Sequence, residues 1–233
     1  MPPYRLKNML INNRIEESCI VFDLDGTLVN TWNIHLKTLY ETSLEITGLK
    51  HSKLDIIRAN KVTERETLST LLGKMDSKYA LNFYMKKFIE NLNLCEIEVF
   101  PGIENILKLL NDYDCKIGLF TGRKRTTTIS LLRKLKLIDY FKSIITSDDV
   151  INSKPSTEGL INVIKELKGI NEKSLYIGDT LTDMDIAREI NVNSIFVNWN
   201  RNSILLQNNL QETIIDDPEL LLFYIKNFLR INK

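Results

Sequence analysis

The chain is poor in cysteine, has no long apolar run and carries almost no net charge. Its 233 residues include three cysteines, Cys19, Cys95 and Cys115. They are far apart, odd in number and never spaced as CxxC, which argues against a zinc site and against a disulfide framework. Small buried residues in a reducing compartment are expected instead. No segment approaches the ~20 apolar residues that a bilayer crossing needs, so no membrane partner is expected. Lys plus Arg number 31 and Asp plus Glu number 30, a balance that speaks against nucleic acid as the main partner. Residues 1–18 break every apolar stretch with charge or asparagine and show no cleavage-site pattern of a signal peptide. They read as a variable N-terminal extension, and the protein as cytoplasmic. Internal repeats and low-complexity stretches are lacking too.

What is present is an ordinary globular composition, 43% hydrophobic and 26% charged, long enough for one core plus a small second domain. Five short apolar runs read as buried parallel strands: "CIVF" (19–22), "KIGLF" (116–120), "SIIT" (143–146), "SLYI" (174–177) and "SIFV" (194–197). Helical stripes lie between the later ones. Ile103, Ile106, Leu107 and Leu110 share one face, as do Leu160, Ile164 and Leu167, with Gly169 as the expected C-cap. Asp217 as N-cap, then Pro218 and Glu219, predicts the start of a final helix with Leu221, Ile225, Phe228 and Leu229 inward. Strand alternating with helix predicts an α/β fold, a Rossmann-like, doubly wound parallel sheet.

Residues 32–97 break that alternation. Trp32, Leu36, Leu39, Tyr40 and Leu44 form one helical stripe, and Leu81, Tyr84, Met85, Phe88 and Leu92 another. Between them Thr63 and Glu66 have capping-box spacing ahead of Leu68, Leu71 and Leu72. The interval is too long for a strand connection. A small helical domain inserted after the first strand is expected, with residues 19–31 and 98–233 as the α/β core.

Ligands of open parallel sheets bind beyond the carboxyl ends of the strands. Asp23 and Asp25 follow the first run, and Thr121, Gly122 and Arg123 the second. "SKPS" with Lys154 comes soon after the third, and "GDTLTDMD" with Asp179 and Asp183 follows the fourth. Gathered carboxylates raise one another's pKa unless a cation lies between them. Asp23 and Asp179 offer hard oxygen with no histidine or cysteine beside them, which suits Mg2+ completed by water and a phosphate. Lys154, the Thr121 hydroxyl and exposed backbone N–H groups suit the phosphate itself.

"DLDGT", "TG", "SKP" and "GDTLTD", each at a strand end and in this order, resemble the four motifs of the haloacid dehalogenase-like superfamily of phosphohydrolases. The resemblance runs from Cys19 to the last helix. "FPGI" at 100–103 and "IIDDPELL" at 214–221 resemble the phosphoglycolate phosphatase-like branch, which carries a helical cap after the first strand. The resemblance implies a Mg2+-dependent phosphatase for a small phosphorylated metabolite, working through an aspartyl-phosphate. Asp23 would be the nucleophile and Asp25 the general acid and base. The metal would be held by Asp23, the Asp25 backbone carbonyl and Asp179. Thr121 and Gly122 would hold phosphate oxygens, Lys154 would neutralise charge, and Asp183 would orient Lys154 or sit near the metal.

The substrate is less legible. "TGRKRTTT" is similar to the T-x-K-x-R-x-T pattern of pyrophosphatase-like relatives. His35 matches a histidine of sugar-phosphate members, β-phosphoglucomutase-like ones included, which keeps a phosphosugar mutase as an alternative beside an inorganic pyrophosphatase of the same family. The full set of charged site residues counts against a binding or regulatory protein that keeps the fold without turnover. By default His35 would be a histidine packed at the core boundary. Lys61 precedes and Arg65 lies within "VTERETL" (62–68), which resembles the cap segment of the same enzymes. Its arginine is displaced by one position, a rotation of ~100° on a helix. Arg123, Lys124 and Arg125 read by default as a solvated charge run, with contact to the substrate as the alternative that the resemblance implies. Asp185 reads as a helix-terminus residue, and Asn30 as the cap of the helix that follows it.

Overall fold

A computed structural model describes residues 17–73, 77–199 and 213–231, so most of the expected N-terminal extension lies outside the described residues. Six parallel strands form one sheet in the order β3-β2-β1-β4-β5-β6. They are β1 (Cys19–Phe22), β2 (Lys116–Phe120), β3 (Ser143–Ile145), β4 (Leu175–Gly178), β5 (Asn193–Val197) and β6 (Thr213–Ile215). The chain leaves β1 toward β2 on one side and returns to β4 on the other. That makes the β1/β4 boundary a topological switch point, where the strand ends open a crevice.

β1 shows why the sheet is covered on both faces. All four of its residues are buried, and their side chains alternate. Ile20 and Phe22 join one core with α5 (Ile103–Asp112), α6 (Arg125–Lys134) and α9 (Pro218–Leu229). Cys19 and Val21 join the other with α7 (Glu158–Glu166) and α8 (Leu181–Glu189). The stripes Ile103, Ile106, Leu107, Leu110 and Leu160, Ile164, Leu167 are buried, each such side chain contributing ~1.5–3 kcal/mol by leaving water. Asp217 caps α9 by accepting from Glu219 N at 2.7 Å, with Pro218 in the first position. Cys19 and Cys115 are buried and Cys95 is partly exposed.

Among the described residues, four helices lie between β1 and α5: α1 (Trp32–Thr47), α2 (Lys53–Ala59), α3 (Glu64–Leu72) and α4 (Ser77–Leu94). α1 and α4 pack through Leu36, Leu39, Tyr84, Phe88 and Leu92. Buried Asn91 ties them further, donating to Thr38 Oγ1 at 3.1 Å and to Glu41 Oε2 at 2.7 Å. Thr63 caps α3 by accepting from Glu66 N at 3.3 Å.

Several expectations need correction. Trp32 is 40% exposed and lines a cleft, so it does not belong to the buried stripe. Thr31, and not Asn30, is the N-cap of α1; its side chain makes no cap bond and turns to Asp25. α7 is capped at Leu167, with Lys168 taking the left-handed turn at φ 52°. Gly169 serves close packing instead, since a Cβ there would lie 2.2 Å from Cys19 Sγ. β6 has no apolar run of its own; of its three residues only Ile215 is buried.

Candidate active site

The switch point sets the first acid. The β1–β4 ladder continues one residue past β1, with Asp23 N donating to Ile177 O at 2.8 Å. The chain then turns at Gly26, whose φ is +83°. A Cβ there would lie 2.0 Å from Asp179 Oδ2, so glycine serves both the turn and the approach to Asp179. Beyond β5, Trp199 Nε1 donates to Thr27 O at 2.9 Å and anchors the same loop.

Lys154 is 4% exposed. Its Nζ donates to Asp23 Oδ1 at 2.6 Å and to Asp183 Oδ1 at 2.7 Å, over the Phe120 and Tyr176 rings at 4.8 and 5.5 Å. Asp183 is thereby a strut for Lys154. It also accepts from Tyr176 Oη at 2.8 Å and from Thr180 Oγ1 at 2.5 Å. Burial opposes the charge of Asp183, but Lys154 and these donors hold its carboxyl below the usual range. Burial likewise opposes the charge of Lys154, yet Asp183 and Asp23 keep the ammonium well above its ordinary pKa.

Asp23 and Asp179 go the other way. Burial pushes Asp23 up to about 7 despite Lys154, with Asp183 and Asp25 adding repulsion. Burial and the charges of Asp23 and Asp183 raise Asp179 well above the carboxylate range. Oxygens of Asp23, Asp179 and Asp183 lie within 4.8 Å of one another. Two raised carboxyls aimed at one space, with hard oxygen as the only donor type, fit a magnesium-sized cation. Both oxygens of Asp183 are committed to Lys154, Tyr176 and Thr180, whereas Lys154 takes only Oδ1 of Asp23 and Thr27 only Oδ1 of Asp179, so Asp23 and Asp179 are the side chains with an oxygen to offer it.

Thr121 and Gly122 follow β2, both buried and both lining the cleft. Thr121 Oγ1 accepts from Arg123 N at 3.2 Å. A Cβ on Gly122 would meet Val62 O at 2.6 Å, so this loop touches the backbone of the helical insertion. The cleft between them has a volume of about 240 Å³, small beside the ~300–1,000 Å³ of drug-sized sites. Asp23, Asp25, Thr121, Lys154 and Asp179 line it from the sheet, and Trp32, His35, Asn60 and Lys61 from the insertion.

Arg123 overturns the charge-run reading. It is 5% exposed, and its Nε and Nη2 reach Asp25 Oδ2 and Oδ1 at 3.0 and 2.8 Å. Nη1 reaches Glu64 Oε1 at 3.2 Å. Burial works against the charge of Asp25, but Arg123, together with the Thr31 hydroxyl, holds its carboxyl below the usual range. Glu64 is raised by burial in spite of Arg123. Glu64 gave no sequence signal, because nothing in "VTERETL" tells a helix-start acid from an ion-pair partner. Lys124 and Arg125 do pair at the surface, with Asp148 at 2.6 Å and Asp149 at 2.9 Å. Lys61 lines the cleft, whereas Arg65 lines only an adjoining groove.

His35 is packed. Nε2 lies 2.9 Å from Asn60 Oδ1 and Nδ1 lies 2.7 Å from Tyr84 Oη. The amide oxygen can only accept, so Nε2 bears the proton and Nδ1 accepts from the phenol. Burial, then Arg123, lowers the His35 pKa to about 4. Unfolded His35 takes a proton near 6.5 that the folded state refuses until about 4. The His35 contribution is therefore whole above pH 6.5 and falls away as pH drops toward 4. His35→Gln is expected to flatten thermal stability against pH in that window. An unchanged slope in calorimetric melts would refute this.

A parallel sheet in this order with a lysine-braced acid cluster at its switch point defines a Rossmann-like α/β core with a ligand site at its strand ends. The chain belongs to the haloacid dehalogenase-like hydrolase family, whose model matches residues 20–197. It is 27% identical over 180 residues to the pyrophosphatase PpaX of Oceanobacillus iheyensis, covering 77% of this chain and 83% of that one. It is 26% identical over 220 residues to a phosphoglycolate phosphatase of Nitrosococcus oceani, covering 90% and 95%. CbbY from Rhodobacter sphaeroides, solved in complex with phosphate, shares the fold with a TM-score of 0.75 at 18% identity, over 87% of this chain and 95% of that one. Among the described residues no helix is long and apolar enough to cross a membrane.

Proposed function

We propose that this haloacid dehalogenase-like phosphatase hydrolyses a small phosphomonoester through an aspartyl-phosphate, with phosphoglycolate as the leading example. The observation that carries it is Asp23, held at the switch point by its backbone bond to β4 and braced by buried Lys154. The Asp23 carboxylate attacks phosphorus as the bond to the leaving oxygen breaks. Arg123 and Thr31 keep Asp25 ionised in the free enzyme. The dianionic substrate beside it raises its pKa so that it takes a proton from water. Asp25 gives that proton to the leaving oxygen, then takes one from the water that attacks the acyl phosphate, releasing phosphate and restoring Asp23. Thr121 Oγ1, the Gly122 N–H and Lys154 Nζ bind phosphate oxygens, and Asp183 keeps Lys154 aimed. A bound Mg2+, held by Asp23, Asp179 and the Asp25 carbonyl, would supply charge neutralisation at the phosphate. The insertion acts as a cap that excludes water and chooses the substrate.

The test is a screen of phosphoglycolate, sugar phosphates, nucleotides and pyrophosphate with Mg2+, ranked by kcat/KM. A small carboxylated or short-chain monoester is expected to lead, since the cleft is small and Lys61 is its cationic side chain from the insertion. Pyrophosphate leading would favour the relation to PpaX. A lasting requirement for a bisphosphate activator with little net phosphate release would turn the reading into a mutase. No phosphate release from any of them would overturn it.

A further inference from the structure

We propose that Arg123 is the positioning residue for Asp25, and that Glu64 of the helical insertion fixes Arg123. The proton-transfer group is then set in place only while the insertion is docked on the sheet. This rests on the phosphatase reading above and names two residues that the reading does not require.

Two atoms of one guanidinium grip two oxygens of one carboxylate: Nε to Asp25 Oδ2 at 3.0 Å and Nη2 to Oδ1 at 2.8 Å. A two-point fork fixes the plane and rotation of a carboxylate, which a single bond leaves free. The other side-chain partner of Asp25 is the Thr31 hydroxyl. Arg123 is in turn fixed by the insertion. Nη1 bonds Glu64 Oε1 at 3.2 Å, and the guanidinium carbon lies 4.3 Å from the centre of the Phe88 ring on α4. Glu64 is 6% exposed. Its Oε2 accepts from Lys124 N at 3.1 Å, and its Oε1 from Thr127 Oγ1 at 3.3 Å, so it closes on the start of α6 as well.

Phosphate binding is the rival role for a buried arginine in a cleft. Here the guanidinium already faces two carboxylates, Asp25 and Glu64. One positive charge between two negative ones offers a dianion no net attraction. Its three bonded nitrogens all point to these carboxylates. Geometry therefore favours Arg123 as a holder of Asp25 over a ligand of the substrate.

The experiment compares kcat/KM for phosphoglycolate, whose leaving alcohol needs a proton, with p-nitrophenyl phosphate, whose leaving phenolate does not. In R123Q, phosphoglycolate turnover is expected to fall by about 10²-fold, the scale of a misplaced acid, with p-nitrophenyl phosphate falling far less and KM little changed. E64Q should shift the same ratio in the same direction. R123Q should cost little in a D25N background, because both changes remove one function. R123K keeps the charge without the fork and should restore part of the ratio; with E64Q it supplies the answer if R123Q does not fold. Equal losses on both substrates, a rise in KM alone, or losses that multiply with D25N would overturn the proposal. A wild-type protein inert toward both substrates would instead sink the phosphatase reading.

Discussion

Asp23→Asn is expected to release phosphate at least about 10⁴-fold more slowly than the parent, the scale of loss when a covalent nucleophile is removed. The amide has the shape of the carboxyl, and the backbone bond from residue 23 to Ile177 is untouched. The change therefore isolates nucleophilicity from folding. Stability should move in a way that an inactive, misfolded variant would not reproduce. Burial raises Asp23 to about 7 against an ordinary 3.8. The folded state holds this proton between those values and the unfolded chain does not. The parent, melted with a chelator present, therefore loses stability as pH rises from about 4 to about 7. The asparagine variant lacks that titration and should lose less over the same interval. Activity within tenfold of the parent in a phosphate-release assay would end the assignment of Asp23.

Lys154→Met should cost about 3–5 kcal/mol, the usual consequence of leaving buried charge without its partner. In a chain of this size that is a fall of about 6–20 °C in Tm. Lys154 Nζ is the cation shared by Asp23 and Asp183, which are 6% and 1% exposed. Methionine fills the stem's space over Phe120 and Tyr176 and removes only the charge. The cluster would then hold three carboxylates facing one another. Added Mg2+ is expected to recover part of the Tm, because a divalent ion binds the folded acids and not the unfolded chain. Phosphate release should fall as well, since in the proposed mechanism Lys154 binds phosphate besides bracing Asp23. A Tm within about 1 °C of the parent, with and without Mg2+, would refute the role of Lys154 as counter-ion to these acids.

The parts of this site that could be read in the sequence share one property: each acts where the chain itself delivers it. A short buried strand carries its own apolar signature, and the residue after it lies at the carboxyl edge of the sheet. Asp23 and Asp179 were visible for that reason. Asp183 is legible as part of "GDTLTD", while its bond to Lys154 needed the loop after β3 to reach past β2 and β1 to the end of β4. Arg123 shows the limit. In "TGRKR" it has the same local setting as Lys124 and Arg125, which pair at the surface. Its burial follows from Asp25 and Glu64, which lie 98 and 59 residues away. His35 was ambiguous on its helix until Asn60 and Tyr84 closed on its two nitrogens. β6 escaped notice because three residues with one buried side chain make no pattern, and only its pairing with β5 defines it.

By itself, the sequence determined which chemical groups stand at the ends of the strands, and hence the class of reaction. Strand periodicity and loop position are local, so they survive in a linear reading. Only the tertiary structure decided which charges meet. The parallel pairing of β1 with β4 and β2, and the docking of the insertion over them, placed Arg123 and not Arg125 against Asp25. The same packing set Glu64 behind it and left Lys61 facing the cleft. Ion pairs between distant segments depend on distances that chain order does not encode.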